Sequence, residues 1–98
     1  MALVGKSLDA VTGDATGTVI SFDTPKTKFG VQIDATGFTS FATNIEVSID
    51  GVTFYNPRGL GDASGIYNVD TAPILHIRVN SYYCVGEGTI TAIVAAKE

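Results

Sequence analysis

The sequence has no tryptophan, one cysteine, one histidine and one methionine in 98 residues. With Cys84 alone, no internal disulfide is possible, so the fold needs no oxidising compartment. One Cys and one His cannot supply the four ligands of a structural zinc site. Charge is sparse as well: six basic residues against ten acidic ones, for a net charge of −4. Phosphate backbones require a clustered positive field, so no nucleic-acid partner is expected. The only basic cluster, Lys26 and Lys28 beside Pro25, is accounted for by a solvated hairpin loop. No apolar run approaches the ~20 residues of a membrane span. The opening Met1-Ala2-Leu3-Val4-Gly5-Lys6 is too short and too polar for a signal-peptide core. These absences predict a soluble chain without a membrane partner, folding in a cytoplasm.

What is present is apolar and β-forming. Hydrophobic residues make up 45% of the chain, which excludes a disordered tail. A single domain of this size buries roughly 60–65% of its unfolded surface. Helix formers are scarce, whereas Val, Ile, Thr, Tyr and Phe recur between glycines, which predicts an all-β fold. The most legible stretch runs from Thr43 to Tyr55. Ile45, Val47 and Ile49 alternate with Asn44, Glu46 and Ser48, the period of a strand with one buried face. Asp50-Gly51 interrupts it with residues suited to a tight type I′ hairpin turn, after which Val52 and Phe54 resume the alternation.

Residues 1–15 read as an arm, apolar at Ala2, Leu3, Val4, Leu8 and Val11 but broken by Gly5, Gly13 and Asp14. The arm either covers the end of the domain or reaches a neighbouring subunit, and residues 2–8 are expected to be removable without unfolding. Residues 16–98 form one β domain. Strands are predicted over Thr16–Asp23 and Lys28–Thr36, joined by a turn at Thr24-Pro25-Lys26-Thr27. A loop with Phe38 and Phe41 leads into the hairpin. A long loop covers Asn56–Gly65, marked by Pro57, Gly59 and Gly61. Strands follow at Ile66–Asp70, Ile74–Tyr83 and Thr89–Ala96, the last apolar on both faces. Seven or eight short strands between turn signals predict an antiparallel two-sheet β-sandwich, jelly-roll-like.

Catalytic chemistry is hard to assemble from these residues. His76 lies on the polar side of a strand, with no Gly-x-Ser-x-Gly elbow anywhere in the chain. Cys84 lacks the cationic neighbours that would activate a thiol. The acids Asp9, Asp14, Asp62, Asp70 and Glu87 sit in or near loops without the spacing of a calcium site. Gly59-Leu60-Gly61 lacks the Lys-Ser/Thr of a phosphate loop. We therefore expect no enzyme, no catalytic residue, no cofactor and no metal. The remaining candidates are apolar and aromatic residues able to meet a partner: Ala2, Leu3, Val4, Phe38, Phe41, Tyr55, Tyr82 and Tyr83.

Two stretches carry a resemblance. Ile45-Glu46-Val47-Ser48-Ile49-Asp50-Gly51-Val52-Thr53-Phe54-Tyr55 resembles an “E-x-S-x-D-G-x-x-F/W” hairpin of small β-sandwich proteins of tailed bacteriophages. Ala72 to Ser81 resembles their later “P-x-R-Y-I-R-x-N-V” strand, and discoidin-like and galactose-binding-like jelly rolls share both landmarks. Here Leu75-His76 stands near the position of the first arginine and only Arg78 is retained. The tryptophan and paired cysteines common in extracellular discoidin domains are missing. The resemblance implies a virion protein, most like capsid decoration or cement proteins. It implies a homo-oligomer, a trimer by preference, bound to the major capsid protein on the virion surface after assembly in the host cytoplasm. The competing reading is a tail- or baseplate-associated carbohydrate-binding module that grips glycan through Phe38, Phe41, Tyr82 and Tyr83.

The alternation itself is testable. Val47→Asp would place an unpaired carboxylate in the core at a cost of several kcal/mol. The variant is expected to be unfolded by circular dichroism; a soluble, cooperatively melting protein would contradict the strand reading.

Overall fold

In the computed structural model, which describes residues 4–97, every regular element is a β-strand. The strands are β1 (Val4–Val11), β2 (Ala15–Thr16), β3 (Ile20–Thr36), β4 (Ser40–Ser48), β5 (Tyr55–Gly61), β6 (Gly65–Val85) and β7 (Thr89–Ala96). All pair antiparallel within one sheet of order β1-β7-β3-β6-β4-β5, and β2 lies separately on β6. The all-β, antiparallel expectation holds. The hydrogen bonding, however, gives one continuous open sheet.

Two long strands make this possible. β3 has 17 residues and β6 has 21. Residues 28–33 of β3 pair with 65–70 of β6, and Ile20 and Ser21 pair with Ile77 and His76. Between these segments the ladder loses register. Residues 22–25 stand opposite Leu75, and residues 71–73 stand opposite Thr27. Beyond the break, β6 pairs with β4 while β3 pairs with β7. Bulged strands bend and twist more strongly, so the sheet turns here and folds one apolar face onto itself.

The break explains why the sequence misleads at its prolines. The sequence pattern predicts Pro25 in a turn and Pro73 just before a strand; both lie in unmatched residues inside continuous strands. Pro57, expected in a long loop, sits in edge strand β5 where the β4–β5 register also slips. Proline donates no ladder hydrogen bond, so sheets admit it at bulges and edges. The predicted 56–65 loop is thus mostly β5, and the two strands predicted over 66–83 are one. The predicted two-residue turn at Asp50-Gly51 is a longer connection between Ser48 and Tyr55, and Ile49 and Val52 point outward at 66% and 82% exposure.

The core is one cluster. Val31 and Ile33 of β3, Ile45 of β4, Ile77 and Val79 of β6, and Ile90, Ala92 and Val94 of β7 are buried completely or almost so. Phe22, in the first unmatched segment, and Phe29, just past the break, pack tilted with ring centroids 5.8 Å apart. Leu60 is the one buried residue of β5.

Part of the predicted arm belongs to this fold. Residues 4–11 form β1 on the edge of β7, and Leu8 enters the core. Ser7, also buried, joins two parts of the sheet that are not neighbours. Its Oγ donates to Thr18 O at 2.9 Å and accepts from Val79 N at 2.8 Å, while its carbonyl accepts from Thr18 N at 2.8 Å. Gly17 passes so close that a Cβ there would collide with Val79 O and Ser7 Oγ. Removing residues 2–8 would therefore delete a core side chain and this clasp.

Ser7→Ala would leave the Val79 amide buried without an acceptor, at about 1–3 kcal/mol. For a domain of this size the melting temperature should fall by roughly 4–8 °C per kcal/mol. Gly17→Ala should be worse and yield little folded protein. An unchanged melting temperature for Ser7→Ala would remove the clasp from the stability argument.

Candidate functional site

The hairpin that resembles the phage motif is locked by its own motif residues. Asp50 Oδ1 accepts from the Ser48 hydroxyl (2.9 Å), Val52 N (2.8 Å) and Thr53 N (2.9 Å). Ser48 Oγ accepts from Gly51 N at 2.9 Å, and Gly51 takes φ +78°, where a side chain would be strained. The amides of Thr53 and Val52, then the Ser48 hydroxyl, hold the Asp50 carboxyl below the usual carboxylate range. On the outer face of β4 and β6, Glu46 accepts from Asn80 Nδ2 at 2.6 Å and Arg78 Nε at 2.9 Å. Asn80 chiefly, opposed by partial burial and helped by Arg78, lowers the Glu46 pKa. The Arg78 guanidinium lies 4.0 Å over the Phe54 ring, a cation–π contact. Glu46, Ser48, Asp50, Gly51, Phe54 and Arg78 thus serve the hairpin's own geometry.

The locked loop presents apolar material. Ile49, Val52 and Tyr55 are 66%, 82% and 71% exposed. Beside them an open groove of about 340 Å³ is lined by Val47, Ile49, Thr53, Tyr55, Pro73 and Ile74, among others. Exposed aliphatic and aromatic groups held on a rigid loop are the components of an interface hot spot. The alternation predicts Ile49 and Val52 on the buried face; both are exposed because the chain leaves the sheet after Ser48 and rejoins it only at Tyr55.

His76 lies beneath this loop. Its Nδ1 is 2.7 Å from Ser21 Oγ, and a Cβ on Gly51 would come within 3.1 Å of its Nε2. A nucleophile–base pair needs a carboxylate or carbonyl orienting the second ring nitrogen; among the described residues, no such hydrogen bond is made. The contact pins β3 to β6 beside the register break.

The other candidates are spread out. Ala2 and Leu3 lie outside the described residues. Val4 is exposed on β1, opposite Ala95 of β7. Phe38 and Phe41 are half-buried and pack on the core. Tyr82 and Tyr83 lie near the far end of the β4–β6 pair, with ring centroids 4.9 Å apart and planes at 67°. From Ala42, opposite Tyr82, to Val47, opposite Tyr55, β4 advances roughly 17 Å. The predicted set therefore does not form one surface.

Cys84 is half-buried and free. Burial first, then the neighbouring Asp14, pushes its thiol pKa up, away from nucleophilic use. Its backbone amide donates to Asp14 Oδ1 at 3.0 Å, which lowers the Asp14 pKa.

No family model matches this sequence, and no curated protein does either. Two solved structures share the fold. The SPBc2 prophage-derived protein YomS aligns with a TM-score of 0.71 at 13% identity, over 93% of this chain and 89% of its own. PirA aligns with a TM-score of 0.52 at 12% identity, over 99% of this chain and 95% of its own. At such identities the likeness is one of fold.

The lowered carboxylates set an acid dependence. A carboxylate whose folded pKa is depressed contributes stability above its unfolded pKa and loses it as pH falls through the folded pKa. With Glu46, Asp50 and Asp14 all depressed, urea midpoints should fall as pH drops below about 4.5. Glu46→Gln should make that decline shallower, and an identical slope in the variant would exclude Glu46 as a contributor.

Proposed function

We propose that this chain is a non-enzymatic structural protein of a tailed phage, which binds the outer capsid shell as a decoration or cement protein. The observation that carries this reading is the apolar rim of Ile49 and Val52, exposed on a loop that Ser48 and Asp50 hold in place, with Tyr55 exposed at the start of β5 beside them. A rigid apolar projection loses little freedom on docking, so more of its burial appears as affinity. The fold shared with a prophage-derived protein supports the phage assignment, as does the hairpin motif. In the same reading, the folded-back sheet is a jelly-roll-like sandwich whose two layers share β3 and β6, and the protein assembles as a homotrimer.

The proposed mechanism is mass action. Each bound copy bridges neighbouring major capsid subunits, so its binding free energy adds to the stability of the assembled shell. No group need be activated, in keeping with a site made of side chains that chiefly hold one another.

The test is co-sedimentation of the purified protein with shells lacking it. Val52→Asp combined with Tyr55→Ser should reduce shell occupancy at least tenfold while leaving the melting temperature within about 2 °C, since both side chains are largely exposed. Wild-type occupancy by the double variant, or binding confined to tails, would overturn the proposal. Light scattering of the free protein tests the trimer.

A further inference from the structure

Near the other end of the β4–β6 pair lies a second surface with different chemistry. Asp14, Thr16, Asn44, Asn80 and Tyr82 border an open groove of about 370 Å³. Its floor is fixed from behind. Asn80 Nδ2 donates to Asn44 Oδ1 at 3.1 Å and to Glu46, and Asn80 Oδ1 accepts from Gly17 N at 3.2 Å. Ser81 Oγ donates to Gly13 O at 2.8 Å, anchoring the segment that carries Asp14. These bonds leave the Asn44 amide NH2 and the Thr16 hydroxyl without hydrogen-bond partners among the described residues, beside the exposed Asp14 carboxylate.

Tyr82 lines the groove, and Tyr83, next to it in β6, meets its ring in edge contact. Tyr83 is 76% exposed and takes φ +55°, a left-handed conformation unfavourable for a side chain of its size. It sits where β6 has one residue more than β4 between Val85 and Tyr82, so a bulge aims it outward. An exposed aromatic in a strained backbone contributes little to a core. Such outliers gather where a side chain must be presented.

The combination selects a ligand class. A carboxylate acceptor, an amide donor and a hydroxyl, fixed beside aromatic rings, match the alternating hydroxyls and apolar C–H face of a pyranose. Anionic ligands do not match: Asp14 would repel them, and Arg78, the closest cation in the network, is engaged by Glu46 and Phe54. We propose that this groove binds one pyranose residue of a neutral glycan. Asp14 and Asn44 take its hydroxyls, and the Tyr82–Tyr83 pair packs on its face. The site stands apart from the Ile49–Val52–Tyr55 rim and does not rest on the capsid reading.

The test is titration of the full chain with a panel of neutral monosaccharides, followed by amide NMR, together with a glycan array. The expected result is saturable millimolar binding of at least one neutral sugar, with shifts concentrated at Asp14, Asn44 and Asn80. Asn44→Ala should weaken binding about tenfold, the loss expected for one ligand hydrogen bond. Tyr83→Gly separates function from structure. Glycine relieves the positive φ, so this variant should melt at or above the wild-type temperature while losing binding at least tenfold. No shift with any neutral sugar, wild-type affinity in both variants, or array binding restricted to anionic glycans would each overturn the assignment.

Discussion

Between Ser21 and Lys28, β3 and β6 fall out of step, and there the two long strands pass from one half of the sheet to the other. A flat seven-stranded sheet of this length would leave one apolar face open to water. The unmatched residues let a single ladder double back, so that Val31, Ile33, Ile45, Ile77 and Val94 share one interior. Phe22 and Phe29, both buried, pack on each other beside the break. Pro25 and Pro73 occupy its unmatched positions, where the missing amide hydrogen breaks no ladder bond. Proline also fixes φ, so the bend loses less backbone entropy than other residues would there.

Folding back creates a second requirement. The ends of a doubled sheet must be held, or the interior opens at its seam. Ser7 meets this need from the edge strand β1, using its hydroxyl and carbonyl on Thr18 and its hydroxyl again on Val79. The Val79 amide lies in the interval of β6 between the residues paired to β2 and those paired to β3. Without Ser7 it would be a buried donor facing no strand. Gly17 is needed at the same place because only a residue lacking Cβ allows that approach. The remaining edge, β5, carries Pro57 and Arg58, features that discourage further strand addition.

The strands with clean alternation were legible in the sequence. Thr89–Ala96 was read to the residue, and Phe29, Val31 and Ile33 face the core as their spacing requires. The junctions were not legible, for a physical reason. Proline and glycine signal any departure from a regular ladder, and a bulge inside a strand uses the same residues as a turn between strands. Pro25, Pro57 and Pro73 all look like turns or boundaries on that ground. Ile49 and Val52 were misplaced because strict alternation was carried through Asp50, where the chain had already left the sheet. Of the candidate surface residues, Tyr55 and Tyr83 are exposed as expected, while Phe38 and Phe41 pack on the core. Sequence shows that a residue is apolar; which side of a bend it reaches depends on partners distant in the chain.

The hairpin motif separates fold from function in this chain. Every polar residue of the Glu46–Phe54 pattern is engaged by another member of the same network: Ser48 with Asp50, Asp50 with the amides that follow, Glu46 with Asn80 and Arg78, and Arg78 with Phe54. A group already engaged in this way is poorly placed to bind a partner, so in this chain the motif builds the hairpin and leaves the hairpin's task open. The motif's variable positions and the residue that follows it are freer. Ile49, Val52 and Tyr55 contribute little to holding the loop and are displayed by it, while Asp14, Asn44 and Tyr83 stand where the same pair of strands runs toward its other end. One rigid strand pair thus holds two chemically distinct surfaces apart. A protein docked through its apolar rim would keep its polar groove open to solvent.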